Sequence, residues 1–413
     1  MPAYSYRDRT LYCEGVALAE IAARAGTPCY VYSAATVLEN FRAYDDALGD
    51  LPHTVCYSVK ANGNLAVLRL LASAGAGFDI VSGGELYRVL KAGGDAAKIV
   101  FSGVGKTAAE VDEALAAGIF AFNCESQPEL ALLDALAHRR GVKARVALRV
   151  NPDVETDTHH YISTGSLVHK FGVDIGEAEA VYECARQYED LLVEGVSCHI
   201  GSQLMDLQPV MEAVDRVLEL VDQLRSKGFD IRHADLGGGL GVAYKPDEVP
   251  PAIADFVAGL RTRVEGRGLR IMLEPGRSIV APAGVLLTKA LYRKKNAEKE
   301  FVVVDAAMND LIRPALYDAY HDILPLRQRS GKTRRMDVVG PVCETGDFLA
   351  RDREMPDVLP GDVLAVCTTG AYGFVQSSTY NARRWPAEVL VEGDAWRIVR
   401  QRETYEDLIR GED

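Results

Sequence analysis

A repeat of short β-rich runs, each followed by a helical segment, is the feature that most constrains how this chain folds. Eight such runs occur between residues 55 and 277, reading TVCYSV, FDIVSG, KIVFSG, FAFNCES, RVALRVNP, GVSCHIGSQ, ADLGGG and IMLEPGR. Several are continuously apolar, as expected for parallel strands that are covered on both faces. Eight strand–helix units over this length are typical of a (β/α)8 barrel, which takes about 250 residues. We therefore predict an α/β protein with a TIM-type barrel.

Helical periodicity fills the segments between these runs. The clearest helix has apolar residues at spacings of four and three, namely Val210, Val214, Val217, Val221 and Leu224, which lie on one helix face. Ser126 and Glu129 form a capping-box pattern with Pro128 in the first turn, so we predict that a capped helix begins there and buries Leu130 and Leu133.

The pattern changes after Arg277. Strand-like runs separated by turns follow, reading FVVVDA, MDVVGPV, VLAVCTT, AEVLV and WRIVRQ, with helical pieces at DLIRPALYDAY and at the C-terminus. This spacing predicts a mainly antiparallel β domain. We place the barrel at residues 26–280 and the β domain at residues 281–413.

Composition excludes several classes of protein. The 413 residues carry a net charge of −13 without a basic stripe, so we expect no nucleic-acid partner. No apolar run approaches the ~18 residues of a membrane span, and eight cysteines without a C-x-x-C pair indicate reduced thiols. We therefore predict a cytoplasmic protein without a membrane partner. We also predict no metal site, because His159 and His160 are adjacent and lack a ligand set, and no P-loop, because Val100 stands where Gly105-Lys106-Thr107 would require a glycine.

Residues suited to catalysis converge at the predicted carboxyl ends of the strands, where barrel enzymes place their active sites. They include Lys60, Asp79, His199, the turn Gly237–Gly239, and Glu274 with Arg277. A lysine nucleophile, a glycine turn that binds phosphate and a carboxylate for a ring nitrogen suggest Schiff-base catalysis on a phosphorylated cofactor. Each also has a simpler explanation: a solvated lysine, a structural histidine, a flexible turn, a plain ion pair. Their joint occurrence favours the catalytic interpretation.

The sequence resembles the alanine-racemase-like, fold-type III pyridoxal-phosphate decarboxylases, and among them the diaminopimelate decarboxylase family. The matching stretches run in order along nearly the whole chain: YSVKAN (57–62), FDIVSGGEL (78–86), HIGSQ (199–203), DLGGGLG (235–241), EPGRSIV (274–280), NDLIRPALYDAYH (309–321), CETGD (343–347) and GAYGF (370–374). The resemblance implies a barrel that binds pyridoxal 5'-phosphate, joined to a β domain to which residues 1–25 contribute a strand.

The resemblance also implies roles for individual residues. Lys60 carries the cofactor, His199 stacks on its ring, Asp79 supports the lysine, and Glu274 bonds the ring nitrogen. The phosphate is held by the turn Gly237, Gly238 and Gly239 with the loop Glu274, Pro275, Gly276 and Arg277. Cys343 is the proton donor and, with Glu344, comes from the neighbouring subunit of a head-to-tail homodimer. Substrate is bound by Arg277, Arg313, Tyr317, Glu344 and Tyr372, of which Tyr372 also touches the cofactor.

The implied reaction is decarboxylation of meso-2,6-diaminopimelate at its D-centre, giving L-lysine and CO2 in the last step of lysine biosynthesis. Arg313 offers a bidentate fork for the distal carboxylate and Glu344 a counter-charge for the distal amine. Decarboxylases of ornithine, arginine or a carboxylated polyamine are rivals, although Arg313 opposes the first two. A partner-binding pseudoenzyme is a further rival, but it would be expected to lose Lys60 or Cys343.

Two stretches depart from the family pattern. After GAYGF the sequence reads VQSSTYNARRWP, with unusual residues at Val375, Gln376, Thr379, Arg384 and Trp385, and TGSLVHKFG at 164–172 also differs. The first follows Tyr372, so we expect it to affect substrate contacts rather than the reaction class.

Overall fold

The computed structural model describes residues 3–154 and 170–412. These residues form two compact units. One unit contains Asn40–Val242 and Val249–Ser278, and the other contains the chain up to Glu39, the segment Ala243–Glu248 and the chain from Ile279 onward. We call them the barrel unit and the β unit.

The strands, in chain order, are β1 Tyr4–Arg7, β2 Thr10–Cys13, β3 Val16–Ala17, β4 Cys29–Ser33, β5 His53–Ser58, β6 Gly77–Ile80, β7 Ile99–Phe101, β8 Ala121–Cys124, β9 Ala144–Asn151, β10 Val173–Asp174, β11 Leu191–Cys198, β12 His233–Asp235, β13 Arg270–Leu273, β14 Gly284–Lys295, β15 Glu300–Val304, β16 Ile323–Pro325, β17 Thr333–Val339, β18 Phe348–Pro356, β19 Val363–Val366, β20 Ala387–Glu392 and β21 Ala395–Arg400.

The α-helices are α1 Leu18–Ala25, α2 Ala34–Leu48, α3 Leu65–Ser73, α4 Gly83–Ala92, α5 Ala108–Ala117, α6 Gln127–Arg140, α7 Ile175–Ala185, α8 Gln208–Ser226, α9 Ile253–Val264, α10 Arg277–Val280, α11 Arg313–Tyr317 and α12 Tyr405–Leu408. Single 3₁₀ turns occupy Val59–Ala61, Ala96–Lys98, Phe374–Gln376 and Tyr380–Ala382.

Eight parallel strands of the barrel unit close into a ring. Their order is β5, β6, β7, β8, β9, β11, β12 and β13, and β13 pairs with β5 to complete the circle. These are the eight runs identified in the sequence, so the predicted TIM-type barrel is confirmed. Because all eight strands point the same way, their carboxyl ends meet on one rim.

The predicted periodicity of α8 is confirmed, since Val210, Val214, Val217, Val221 and Leu224 are all buried. The predicted capping box at Ser126 is wrong. Ser126 makes no side-chain capping bond, although a proline does stand in the first turn of α6.

Glu129 serves a different purpose from the predicted cap. Its carboxylate accepts the Glu125 N–H at 2.8 Å and Nζ of Lys106 at 2.5 Å. Lys106 Nζ also donates to the carbonyls of Gly103 and Asn123, both at 2.8 Å. A buried lysine therefore draws Glu129 away from the helix start, and Lys106 has a structural role instead of a phosphate-binding one.

The β unit is built on a nine-stranded sheet with the main order β18, β17, β15, β14, β4, β20, β21, in which β19 pairs with both β14 and β16. Most neighbours are antiparallel, whereas β15–β17 and β4–β20 are parallel. This confirms a mainly antiparallel sheet. The sequence analysis missed the central strand β14, whose second half carries exposed charged residues that conceal its apolar first half.

The N-terminal residues pack within the β unit. Strands β1 to β3 form a small antiparallel sheet, and β2 is joined to the loop after β16 by the Leu11 N–H, which donates to the carbonyl of Leu326 at 2.9 Å. Leu11 and Ile21 share an apolar cluster with Val31 and Val285 of the large sheet. The strand that enters the large sheet from this end of the chain is β4.

Within the part of the chain that the structure describes, no helix combines the length and the apolar character needed to cross a bilayer.

Candidate active site

Lys60 stands directly after the first barrel strand. Strand β5 ends at Ser58, and the 3₁₀ turn Val59–Ala61 carries the lysine to the rim. Its Nζ lies 2.8 Å from Oδ2 of Asp79, a fully buried carboxylate on the neighbouring strand β6. The same Oδ2 lies 2.8 Å from Oγ of Ser58. Asp79 therefore orients the amine of Lys60, as its predicted supporting role requires.

Glu274 lies at the centre of a buried polar cluster inside the barrel. It follows strand β13, and its Oε1 is 3.1 Å from Oγ of Ser102 and 3.3 Å from Nδ2 of Asn123. Nδ2 of Asn123 is also 2.9 Å from Oδ2 of Asp235. Four strands thus contribute to one network around Glu274.

The cluster holds two carboxyl groups that are difficult to ionise together. Burial, and then the nearby charges of Asp235 and Asp79, raise the pKa of Glu274 well above its usual value. Burial raises the pKa of Asp235 to about 6. Near neutral pH the pair therefore retains a proton, because two adjacent carboxylates in a dry interior repel each other.

Asn123 and Asp235 were missed as site residues by the sequence analysis. Each is a polar side chain in an otherwise apolar strand, and both are buried. A polar residue inside such a run needs a hydrogen-bond partner. That signal could have marked them as candidates, but it could not have shown that their partners are each other and Glu274.

His199 follows strand β11 on the same rim. Burial, with the positive charges of Arg149 and Lys60, lowers the pKa of His199 well below its usual value, so the ring is neutral at pH 7. Its Nδ1 lies 3.4 Å from the backbone N–H of Gly238. A neutral, flat ring beside the glycine turn fits the predicted stacking role.

The glycine turn after β12 has no room for side chains. A Cβ on Gly238 would lie 2.2 Å from the carbonyl oxygen of Glu274, and one on Gly239 would lie 2.3 Å from that of Gly201. Gly239 also has φ +99°, a conformation that favours glycine. The Gly237 N–H donates to Oδ1 of Asp235 at 3.0 Å, and the Gly238 N–H faces Nδ1 of His199. The turn therefore brings bare backbone to the rim, where a phosphate could approach it closely.

The loop after Glu274 closes against the lysine strand. The Ser58 N–H donates to the carbonyl of Pro275 at 3.1 Å, and a Cβ on Gly276 would lie 3.0 Å from the Cβ atoms of Ser58 and Ala61. Arg277 donates from Nη2 to Oγ of Ser202 at 2.9 Å, within the HIGSQ stretch. The barrel unit thus brings together Lys60, Asp79, His199, the glycine turn and the 274–277 loop.

The remaining predicted site residues belong to the β unit. Arg313 begins helix α11 and is buried, and Tyr317 ends that helix with its hydroxyl 3.4 Å from Nε2 of Gln376. Cys343 and Glu344 are exposed in the loop after β17. The Cys343 N–H donates to Oδ1 of Asn381 at 2.8 Å.

Tyr372 and the divergent segment after it have distinct local structure. Tyr372 is half-buried. Its φ is +55°, in the left-handed region that residues other than glycine rarely adopt. Gln376 contacts Tyr317, so at least one divergent residue touches a predicted substrate-binding side chain. Residues 164–169 of the other divergent stretch lie outside the described residues, as do His159 and His160.

Comparison with known proteins identifies the family. Residues 34–281 match the family model described as the pyridoxal-binding domain of pyridoxal-dependent decarboxylases. Over 412 residues the chain is 58% identical to a diaminopimelate decarboxylase of Pseudomonas aeruginosa, covering 100% of this chain and 99% of the relative. The chain belongs to the diaminopimelate decarboxylase family.

Solved structures agree with this assignment. The diaminopimelate decarboxylase of M. jannaschii in complex with L-lysine is 39% identical with a TM-score of 0.95, covering 100% of this chain and 98% of that one. The enzyme of Helicobacter pylori, complexed with L-lysine, is 42% identical with a TM-score of 0.91, covering 95% and 98%. The family assignment confirms the predicted fold class.

The barrel rim fits the pyridoxal phosphate that diaminopimelate decarboxylases use. Among the described residues, Oδ1 of Asp79 and Oδ1 of Asn123 are buried acceptors without a hydrogen-bond partner. They lie in the cluster that holds Lys60 and Glu274, and a polar cofactor would relieve the cost of leaving them unpaired. The glycine turn, where side chains have no room, would allow the cofactor's phosphate to approach the backbone closely.

Proposed function

We propose that this chain decarboxylates meso-2,6-diaminopimelate at its D-centre, releasing L-lysine and CO2 in the last step of lysine biosynthesis. The observation that carries the proposal is the buried carboxyl group of Glu274, 3.1 Å from Oγ of Ser102, in the barrel whose rim also holds Lys60 and Asp79. A carboxylate beside a ring nitrogen stabilises the protonated nitrogen, whereas a cationic partner would destabilise it. This distinguishes a decarboxylase site from a racemase site.

Each barrel residue has a separate proposed role toward the cofactor. Pyridoxal phosphate supplies an electron sink for the pair of electrons left when the carboxylate departs. Lys60, oriented by Asp79 at 2.8 Å, would bind the cofactor covalently. The neutral ring of His199 would pack against the cofactor ring, Glu274 would keep a proton at the ring nitrogen, and Gly237–Gly239 with residues 274–277 would bind the phosphate.

The β unit supplies substrate recognition and the proton. Arg313 pairs with the distal carboxylate, and Glu344 with the distal amine, because a guanidinium and a carboxylate are the strongest partners for these groups. Arg277, Tyr317 and Tyr372 complete the substrate contacts, and Cys343 delivers a proton from Sγ to the carbon that lost CO2. The bound lysine of the two solved relatives is in keeping with a site for this product.

We further propose that the active form is a cytoplasmic head-to-tail homodimer with shared active sites. Cys343 and Glu344 are exposed on the β unit, although chemistry of this kind needs a site that excludes water. A neighbouring subunit that covers this loop, and receives these two side chains in its own barrel, meets that need.

Product release from the protein loaded with pyridoxal phosphate tests the reaction. The expected result is equimolar lysine and CO2 from meso-diaminopimelate, with no turnover of ornithine or arginine in parallel samples. Turnover of ornithine or arginine instead would leave the mechanism in place and contradict the substrate assignment. A loaded, dimeric protein that turns over none of the three would contradict the proposed reaction.

A further inference from the structure

Arg313 is held by a neighbour that the proposed mechanism does not use. Only 7% of the residue is exposed, and its Nε donates to Nε2 of His321 at 3.3 Å. His321 is fully buried and lies eight positions further along the chain, beyond the end of α11. A buried arginine is costly unless its donors are engaged in well-defined hydrogen bonds.

His321 is itself fixed on the opposite side of its ring. Its Nδ1 lies 2.8 Å from the carbonyl oxygen of Cys367. Because Nε2 accepts from Arg313, the ring proton is on Nδ1 and is donated to that carbonyl. The backbone is held as well, since the Cys367 N–H donates to the carbonyl of Asp322 at 2.8 Å. The end of strand β19 therefore fixes the orientation of the imidazole.

Aromatic rings flank the guanidinium. Its Cζ lies 5.1 Å from the centre of the Tyr244 ring and 5.8 Å from that of Tyr317. Tyr244 also packs edge-on against His321, with ring centres 5.2 Å apart. Rings at these distances attract a cation and restrict its rotation. Tyr244 lies in the short segment Ala243–Glu248, which packs within the β unit although the chain on either side belongs to the barrel unit.

We propose that His321 and Tyr244 are positioning residues that fix the guanidinium of Arg313 for the distal carboxylate of the substrate. This inference rests on the proposed function, in which Arg313 is the residue that selects that carboxylate. The hydrogen bond at Nε sets the plane of the guanidinium, and the Tyr244 ring limits its tilt. The terminal nitrogens of Arg313 then bind the carboxylate. Because the long side chain is already ordered before substrate binds, less conformational entropy is lost on binding.

Two ligands distinguish recognition of the carboxylate from recognition of the amines and the carbon chain. L-Lysine carries the carboxylate that Arg313 would bind, and 1,5-diaminopentane has the same chain and both amines without it. Binding of each to the protein loaded with pyridoxal phosphate gives a ratio of dissociation constants that reports on this carboxylate alone. The ratio does not depend on catalytic turnover, and a general loss of stability would shift both constants together.

Two substitutions of His321 test the contributions of the two ring nitrogens separately. Asparagine can replace Nδ1, which donates to Cys367, but it is too short to replace Nε2; glutamine places an acceptor near the position of Nε2. We expect His321→Asn to weaken L-lysine binding about ten-fold, the scale of one charge-assisted hydrogen bond, with 1,5-diaminopentane unchanged. His321→Gln should recover most of that loss. The cofactor absorbance should match wild type in both variants.

Tyr244→Leu gives a second test if His321→Asn does not fold. It removes the ring from beside the guanidinium and should weaken L-lysine selectively, by about three-fold. Equal affinities of wild type and the folded variants for L-lysine, or equal losses for both ligands, would overturn the positioning role. Failure of the wild-type protein to release lysine from diaminopimelate would instead overturn the proposed function, so the two failures are distinguishable.

Discussion

The barrel unit and the β unit hold their site residues in contrasting ways. In the barrel unit, Asp79, Asp235 and Glu274 are buried and belong to networks whose members all come from strand ends. In the β unit, Cys343 and Glu344 are exposed on a loop, and Arg313 is buried and contacted by His321 and Tyr244 from two other segments. The difference shows that the barrel residues are fixed by one another, as the proposed cofactor site needs, whereas Cys343 and Glu344 are not fixed by a buried network of this kind.

The largest effect is expected where the barrel meets the cofactor. Lys60→Ala should abolish turnover, by at least about 10⁴-fold, because the covalent link to the cofactor is lost. It should also remove the visible absorbance of the lysine-linked cofactor. Lys91→Ala, at an exposed position on α4, is the matched control and should behave as wild type. A normal spectrum in the Lys60 variant would refute its assignment.

The next largest effect is expected at Cys343, the proposed proton donor, which lies in the β unit. Cys343→Ala should lower kcat by about 10²- to 10⁴-fold, the range for loss of a positioned general acid. The cofactor absorbance should be unchanged, because no barrel residue is altered. Cys184→Ala, at a half-buried cysteine on α7, serves as control. Unchanged kcat for Cys343→Ala would mean that another group donates the proton.

Substrate selection should be affected separately from cofactor binding. Arg313→Ala should lower kcat/KM for diaminopimelate about 10²-fold or more, because a distal carboxylate loses its buried cationic partner. Bound pyridoxal phosphate should be retained. Arg335→Ala, at an exposed arginine of strand β17, is the control. If turnover persists at the wild-type level, Arg313 is not the selector.

The smallest expected effect is a pH dependence of the free energy of unfolding, which arises from a residue of the barrel unit. Burial raises the pKa of Asp235 to about 6, so its ionisation costs stability as pH rises from about 4 through 6. Asp235→Asn has no such charge. In cofactor-free protein, its free energy of unfolding relative to wild type should therefore increase by about 2 to 3 kcal/mol between pH 4 and pH 8, measured by urea denaturation.

The control for that measurement is Asp46→Asn, at an exposed position on α2. The difference in free energy of unfolding between this variant and wild type should stay constant over the same pH range. A flat difference for Asp235→Asn as well would show that Asp235 is ionised without cost to stability, and would contradict its raised pKa.

The contrast between the units also explains how far sequence reasoning could go. Barrel strands repeat, and residues that follow them share one rim, so Lys60, Asp79, His199 and Glu274 could be placed together from their order alone. The β unit has no such repeat. Strand β4 pairs with β14 and β20 from distant parts of the chain, and strand β14 itself was missed.

Contacts between side chains that are distant along the chain could not be predicted from the sequence. The bond from Asn123 to Asp235 joins residues 112 positions apart, and Tyr244 reaches Arg313 from the segment that follows the glycine turn. Neither pair has a spacing that a motif could reveal. Even the local prediction at Ser126 was wrong, because Glu129 is engaged by Lys106, which comes from another loop.

Mixing two inactive variants tests most directly the central claim that one active site needs a barrel unit and a β unit from different subunits. Lys60→Ala and Cys343→Ala proteins are combined, allowed to exchange subunits, loaded with pyridoxal phosphate and assayed for CO2 release from diaminopimelate. Statistical exchange makes half the dimers mixed, and each mixed dimer has one intact shared site, so activity should return to about a quarter of wild type. Mixed dimers that form but remain inactive would contradict the account.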